Sequence, residues 1–436
     1  MRFSACIIIG AAAIALATSS TGAAPEEESW DLNRCVREAL AVSRSIGAAD
    51  ARVDAARAVA GRAGADRLPA VAFRGGYRYA SEVMSIDLPS APLFPGGEIQ
   101  FGDGNTYELA VGLEAPLFTG GALARRARAE RAGVRASEAS LQAENAEVMY
   151  AARRAYFSVL GAEAGKSAAR LALDRVQRHH RDLLAAIEVG AATREAAVQV
   201  LSHVRKAEES LIEADEAFRV ARLALGEVVG RPGEEIAVNG DLHEPLWPES
   251  DGPPQDVGVH PALASLDQQR ERSLQMASAA KGSLFPSLYA EAFYHYDKPG
   301  VDLIENEWMD YATVGLLLRW TLWDWGARSH DVERAEAAAR ELAARRAEMD
   351  DRLQTGLAVA SAKLGAARAR KEKAEERVRL EEERYRMVES RYHEAQATES
   401  ELLDAHDDRA GAEVALVATT TQIRLAEADL LRILAR

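Results

Sequence analysis

Ala115-Pro116-Leu117-Phe118-Thr119-Gly120-Gly121 closes an alternating apolar stretch and opens 69 residues, 121–189, almost free of helix breakers. Trp320-Thr321-Leu322-Trp323-Asp324-Trp325-Gly326 does the same 205 residues later, ahead of 326–394. The same spacing relates Gly190-Ala191-Ala192-Thr193-Arg194-Glu195 to Ala395-Gln396-Ala397-Thr398-Glu399-Ser400. Leu68-Pro69 and Phe285-Pro286 correspond at 217, with different loop lengths between. The chain is therefore internally duplicated. Each half reads helix, Pro, strand, loop, strand, Gly, very long helix, tip, return helix.

Working outward, the first repeat covers 25–229: a leading helix over 29–67, a β-hairpin over 70–118, the long helix 121–189 and a return helix 194–229. The second covers 257–436, with a leading helix over 256–284, a hairpin 287–323, the long helix 326–394 and a return helix 398–434. Between them, 230–256 is rich in turn formers, with Gly230, Pro232, Gly233, Pro245, Pro248, Pro253 and Pro254. At ~1.5 Å per residue each long helix spans about 100 Å, and a return helix stacked on a leading helix has about the same length. Seams of Ala, Leu and Val beside Arg and Glu faces predict coiled-coil-like packing into a rod. Thr193 is placed to cap the return helix after the first tip.

Four stretches switch to period 2. Val71, Phe73, Gly75, Tyr77 and Tyr79 share a face; so do Leu109, Val111, Leu113, Ala115 and Leu117. Leu288, Ala290, Ala292, Tyr294 and Tyr296 oppose Glu291 and His295; Val314, Leu316, Leu318, Trp320 and Leu322 oppose Arg319 and Thr321. These lengths suit tilted strands crossing a bilayer. Seven of the eleven Tyr and four of the six Trp lie in or beside these strands, where ring residues would meet the headgroup zone. Val314, Leu316, Leu318 and Trp320 are the expected lipid-facing set. Four strands cannot close a barrel and lipid tolerates no open edge, so such a chain must oligomerise. Loops 80–106 and 298–310 would lie outside.

Composition narrows the function. The 436 residues carry 53 Lys+Arg against 68 Asp+Glu, a net charge of −15, which argues against nucleic acid. Residues 1–24 have the charged, apolar, small-residue order of a secretory signal, with cleavage after Ala23 or Ala24. Cys6 would leave with it, and Cys35 alone permits neither a disulfide framework nor a cysteine zinc site. Gly-Lys-Ser at 165–167 lacks the upstream glycine of a phosphate loop. No Gly-x-Ser-x-Gly occurs, and the nine His are scattered. No catalytic, cofactor-binding or metal-ligating constellation can be assembled, so the chain reads as no enzyme.

In the order and duplication of these motifs, nearly the whole mature sequence resembles the TolC-like outer membrane efflux protein family. Leu68-Pro69, Phe285-Pro286, Pro116 to Gly121, Trp323-Asp324-Trp325-Gly326, and the run from Glu401-Leu402-Leu403-Asp404 to Leu430-Leu431-Arg432-Ile433-Leu434 carry the resemblance. It implies a mainly α fold with membrane β: a long α-helical barrel plus a four-stranded contribution to a shared transmembrane β-barrel. It implies a homotrimer in the outer membrane of a Gram-negative bacterium, in contact with its lipid and with a large periplasmic part. A periplasmic adaptor and an inner-membrane pump would be its partners. Function would be passive exit from a tripartite efflux pump, gated at the periplasmic tip. Val189, Gly190 and Ala191 resemble the tip motif that meets the adaptor; Glu394-Ala395-Gln396 at the second tip lacks the glycine. Tyr392, Glu401 and Asp404 fall where the family can place a gate tyrosine and pore-lining acids; Ala397 stands where some members carry a gate arginine. Glu401 and Asp404, three apart, share one helix face, and threefold symmetry would turn each into a ring of carboxylates. A type I protein secretion duct is the alternative within the class, and a soluble periplasmic coiled-coil scaffold the alternative outside it.

Overall fold

A computed structural model describes residues 29–89, 92, 95–100, 103–247, 256–302 and 306–436. The expected signal with Cys6 and part of the 230–256 linker lie outside the described residues. The leading segment is two helices, α1 (Leu32–Val42) and α2 (Arg44–Ala65), rather than one. Ser43 is the cause: it ends α1 in an extended conformation and its side chain accepts from Ile46 N to start α2. Then come β1 (Ala70–Tyr79), β2 (Ser85–Leu88), β3 (Gly97–Gln100), β4 (Asn105–Phe118), α3 (Ala122–Glu188) and α4 (Arg194–Val228). The second half runs α5 (Pro261–Gly282), β5 (Ser287–Asp297), β6 (Met309–Arg319), α6 (Ala327–His393) and α7 (Glu399–Ile433). Loop 80–106, read as plain surface loop, carries the small antiparallel ribbon β2–β3. No helix among the described residues is long and apolar enough to cross a membrane.

The duplication survives in backbone detail. Both long helices have 67 residues and start behind a left-handed glycine, Gly121 at φ 78° and Gly326 at φ 84°. At the tips, Gly190 (φ 75°) and Ala395 (φ 59°) hold the same left-handed turn. Gly190 N bonds to Ile187 O and Ala191 N to Ala186 O; Ala395 N bonds to Tyr392 O and Gln396 N to Arg391 O. The second tip thus keeps the turn without its glycine, at the roughly 1–2 kcal/mol that a Cβ costs there.

The helices meet through small residues. α3 packs on α5 and α2 toward the strands, and on α4 and α7 toward the tip. Ala is the commonest of its buried residues, and at Gly161 a Cβ would come within 2.4 Å of Thr421 Oγ1. Three apolar clusters stand along the rod. One gathers Trp30, Tyr156, Phe157, Leu160 and Leu225 at mid-length; a second gathers Trp247, Leu357, Leu364, Ile423 and Leu430; a third, at the tip, joins Leu173, Val176, Val200 and Leu403. Trp30 and Trp247 are 217 residues apart, the spacing of the leading segments, and each anchors one mid-length cluster. Trp30 is tied to the linker through its N–H to Ala237 O at 2.9 Å and its carbonyl to Asn239 N at 3.0 Å.

The linker is held by one buried ion pair. Arg424 and Glu427, one helical turn apart on α7, are 3% and 1% exposed and bond to each other. Arg424 also donates to Leu242 O (2.9 Å) and His243 O (3.0 Å), and Glu427 accepts from Leu246 N (3.0 Å). Removing one partner strands the other charge in the interior. Glu427→Ala should therefore destabilise the folded chain by about 3–5 kcal/mol, read as an earlier denaturant midpoint of the detergent-solubilised protein. Glu427→Gln, which can still accept from Leu246 N, should cost less.

Candidate functional site: the strand face and the helical tip

Four strands form one antiparallel sheet in the order β1-β4-β5-β6. Its register settles which residues share a face, because a slip of one would turn every side chain over. Val71 pairs with Leu113 and Phe73 with Val111; Leu113 pairs with Ala292; Ala292 pairs with Val314 and Ala290 with Leu316. One apolar face thus runs across all four strands without a charge in these rows. Val314, Leu316 and Leu318 are 86%, 70% and 64% exposed. Trp320, expected within the strand, lies one residue past the end of β6, where its indole Nε1 donates to Leu284 O at 3.2 Å. The 287–323 hairpin accordingly ends its strand at Arg319.

The opposite face is polar and internally paired. Arg74 bonds Glu114, and Arg78 lies 3.5 Å from Glu108. The Arg74 guanidinium sits 4.4 Å over the ring of Phe293, itself buried against Gly112, where a Cβ would come within 2.5 Å of that ring. His295 stacks on Tyr311 at 4.7 Å, and Tyr311 Oη donates to Asp297 Oδ2 at 2.8 Å. Asp297 Oδ1 accepts from Leu109 N at 2.9 Å. A sheet apolar on its exposed face and charged on the other is the pattern of a strand set between lipid and water.

At the other end of the rod, Val189 closes α3 with its side chain 79% exposed, and Gly190 and Ala191 complete the turn. Thr193 caps α4 by accepting from Ala196 N at 3.3 Å. Across the second tip, the predicted site residues take different roles. Glu401 forms a capping box: its Oε2 accepts from Thr398 N at 2.7 Å while Thr398 Oγ1 accepts from Glu401 N at 3.3 Å. The Thr398 N–H holds the Glu401 carboxyl below its usual range. Its first task is thus to start α7. Asp404, one turn on, is exposed.

Tyr392 makes the connection that sequence reading did not anticipate. Its hydroxyl donates to Glu399 Oε2 at 2.6 Å, and Glu399 Oε1 lies 2.6 Å from His179 Nε2 on α3. The rings of His179 and Tyr392 meet edge to face at 5.8 Å. Burial would raise the Glu399 pKa, but the hydrogen bonds from His179 and Tyr392 outweigh it and hold the carboxyl below its ordinary value of 4.5. Burial, and then the bond to Glu399, push the Tyr392 phenol well up. One carboxylate on α7 therefore ties together α3, α6 and α7. Farther from the tip, Arg175 on α3 and Glu413 on α7 pair at 2.6 Å, and Lys206 on α4 reaches Asp407 on α7 at 2.9 Å. His406 is buried between them, and burial first, then Arg175, lowers its pKa to about 4.

Among the described residues, no group of His, Cys, Asp and Glu could hold a metal ion. Cys35 is fully buried, and burial pushes its thiol to about 12.

The outer membrane efflux protein family model matches residues 35–231 and 258–436, one block in each repeat. No curated protein sequence matches significantly. The fold is similar to that of CusC, whose structures concern folding and transmembrane channel formation, with a TM-score of 0.78, 15% identity, and 92% of this chain and 91% of that one covered. It is similar to the outer membrane protein VceC of Vibrio cholerae, at 0.75 and 20% over 93% and 96%. It is similar also to the open state of the Neisseria gonorrhoeae outer membrane channel MtrE, at 0.76 and 17% over 93% and 88%. With both halves matched and the four-stranded sheet set on two long helical hairpins, the chain belongs to the outer membrane efflux protein family.

Proposed function

We propose that three copies of this chain form the outer membrane exit duct of a tripartite efflux pump, a passive conduit closed at its helical tip until a periplasmic adaptor docks there. The observation that carries the reading is the sheet: one continuous apolar face, one charged face, and two unpaired edges at β1 and β6. In hydrocarbon an unpaired backbone edge costs several kcal/mol per group, so the edges must meet those of other copies. A soluble scaffold gives no reason for Val314, Leu316 and Leu318 to stand open together. Val189, Gly190 and Ala191 offer the adaptor an exposed apolar turn, and a partner that docks between the tips would act on the contacts of His179, Tyr392 and Glu399. Asp404 would add a carboxylate to the mouth, a weak preference for cations.

Three measurements test this. The detergent-corrected mass of the protein from outer membranes should be three times that of the mature chain; a monomer or dimer from the soluble periplasm would sink the reading. Leu316→Arg or Leu318→Arg should each cost roughly 2–4 kcal/mol near the bilayer midplane and abolish recovery from the outer membrane, whereas Leu380→Arg, on a helix, should not.

The third concerns the tip. The isolated trimer should conduct poorly in a planar bilayer, and Glu399→Gln or Tyr392→Phe should raise its conductance several-fold. Because the Glu399 pKa is depressed in the fold, its contribution is complete above the ordinary glutamate value and is lost as pH falls through the lowered one. Conductance should thus stay low through pH 4.5, the ordinary value, and rise only beneath it. A high steady conductance of the unmodified trimer at neutral pH would remove the gate from the proposal.

A further inference from the structure

Along α7, the residues turned toward α3 and α4 recur at spacings of four and three: Glu399, Leu403, His406, Ala410 and Glu413. Their partners show the direction. Glu399 meets His179 and Glu413 meets Arg175, both on α3. Leu403 joins the tip cluster of Val176 and Val200, and Ala410 borders a cavity with Ala169 of α3 and Ala207 of α4. A helical seam of this spacing ordinarily sets an apolar side chain at every core position. His406 holds the central one and is 7% exposed. Burial and then Arg175 lower its pKa to about 4, so the imidazole at this position is neutral at pH 7.

The seam is also unsatisfied at this level. Nε2 of His406 is sealed from solvent and has no hydrogen-bond partner. The same holds for Nη1 of Arg175, whose charge acts on His406, and for Nδ1 of His203, which lines the same cavity as His406. Asp407 Oδ2 lies 3.4 Å from that His203 nitrogen, outside hydrogen-bond geometry, and is taken up by Lys206 at 2.9 Å. A buried polar atom left unpaired forfeits the bonds that water would give it, and the loss falls on the conformation that buries it. The cavity, about 310 Å³, runs beside these groups between α4 and α7, which scarcely touch, so a small movement of α7 admits water to them. The mid-length clamp differs: there Arg424 and Glu427 are buried with partners on both sides.

We infer that His406 gives the tip a built-in bias toward opening: the closed seam strands three nitrogens, and they regain partners when α7 leaves α3 and α4. The bonds of Glu399 to His179 and Tyr392 hold the seam shut against that bias. A docking partner then has only this latch to break, because release of α7 is already favoured behind it. His406 is a positioning residue, acting through the placement of α7. Its effect has a sign that a structural role does not share. A polar residue that merely fixes helix register would, on removal, loosen the seam; removal of one that loads the seam tightens it.

The inference rests on the tip closure proposed above, and the test separates the two. His406→Leu and the more adaptable His406→Met are made in the full-length protein, with His406→Gln as the variant that keeps a polar side chain. Hydrogen exchange of the detergent-solubilised protein, followed by mass spectrometry, reads the opening of α7 directly. Over 399–413 exchange should slow about tenfold in the Leu and Met variants, stay near the unmodified rate in His406→Gln, and remain unchanged over 420–433. Added to Glu399→Gln, His406→Leu should bring the raised conductance back toward that of the unmodified trimer. Exchange over 399–413 that is unchanged or faster in both apolar variants overturns the bias, whatever the conductance. Slower exchange in a protein whose unmodified trimer conducts freely at neutral pH upholds the bias at α7 and removes only the gate.

Discussion

A strand edge in hydrocarbon has no water to satisfy its N–H and C=O groups, and the rest of this molecule is arranged around that constraint. The chain presents four strands with edges at β1 and β6, too few to curl into a closed barrel. Within the chain the two hairpins join at β4–β5, and the edges left at β1 and β6 are those that a shared barrel has to close.

The helical part solves a different problem with different residues. A rod about 100 Å long has little interior, and Ala is the commonest residue in the buried seams of its long helices. Large residues gather where the continuous helices need a clamp. Trp30 and Trp247 anchor the mid-length clusters, and the buried Arg424–Glu427 pair holds the linker by its backbone. Toward the tip the apolar cluster of Leu173, Val176, Val200 and Leu403 is joined by polar ties between helices: Arg175 to Glu413, Lys206 to Asp407, His179 to Glu399. A clamp of buried aromatic rings and a buried ion pair resists opening, whereas a few polar bonds at a rod's end can be exchanged at modest cost.

Glu399 and Glu401 show why neighbouring acids cannot be assigned roles by position. Both stand in the first turn of α7, where a carboxylate complements the helix N-terminus. Glu401 turns back on Thr398 and serves the helix, while Glu399 turns toward α3 and α6. The Thr-x-x-Glu spacing of the capping box was legible in the sequence. The partner of Glu399 was not, because His179 lies 220 residues away and on the other helical hairpin.

Period and breakers in the sequence determined the elements: the 205-residue repeat, the long helices behind Gly121 and Gly326, and the alternating strands with their apolar face. These are local properties, fixed by side-chain spacing and backbone freedom within a few residues. Local reading erred where the competing signal was a single residue, as at Ser43, or where a strand ended, as at Arg319. The tertiary structure alone decided which strand lies beside which, that β4 meets β5 in the register Ala110–His295, and that His179, Tyr392 and Glu399 share one set of hydrogen bonds. Those facts depend on distances between residues far apart in the chain, and no periodicity in a sequence encodes a distance that the fold itself creates.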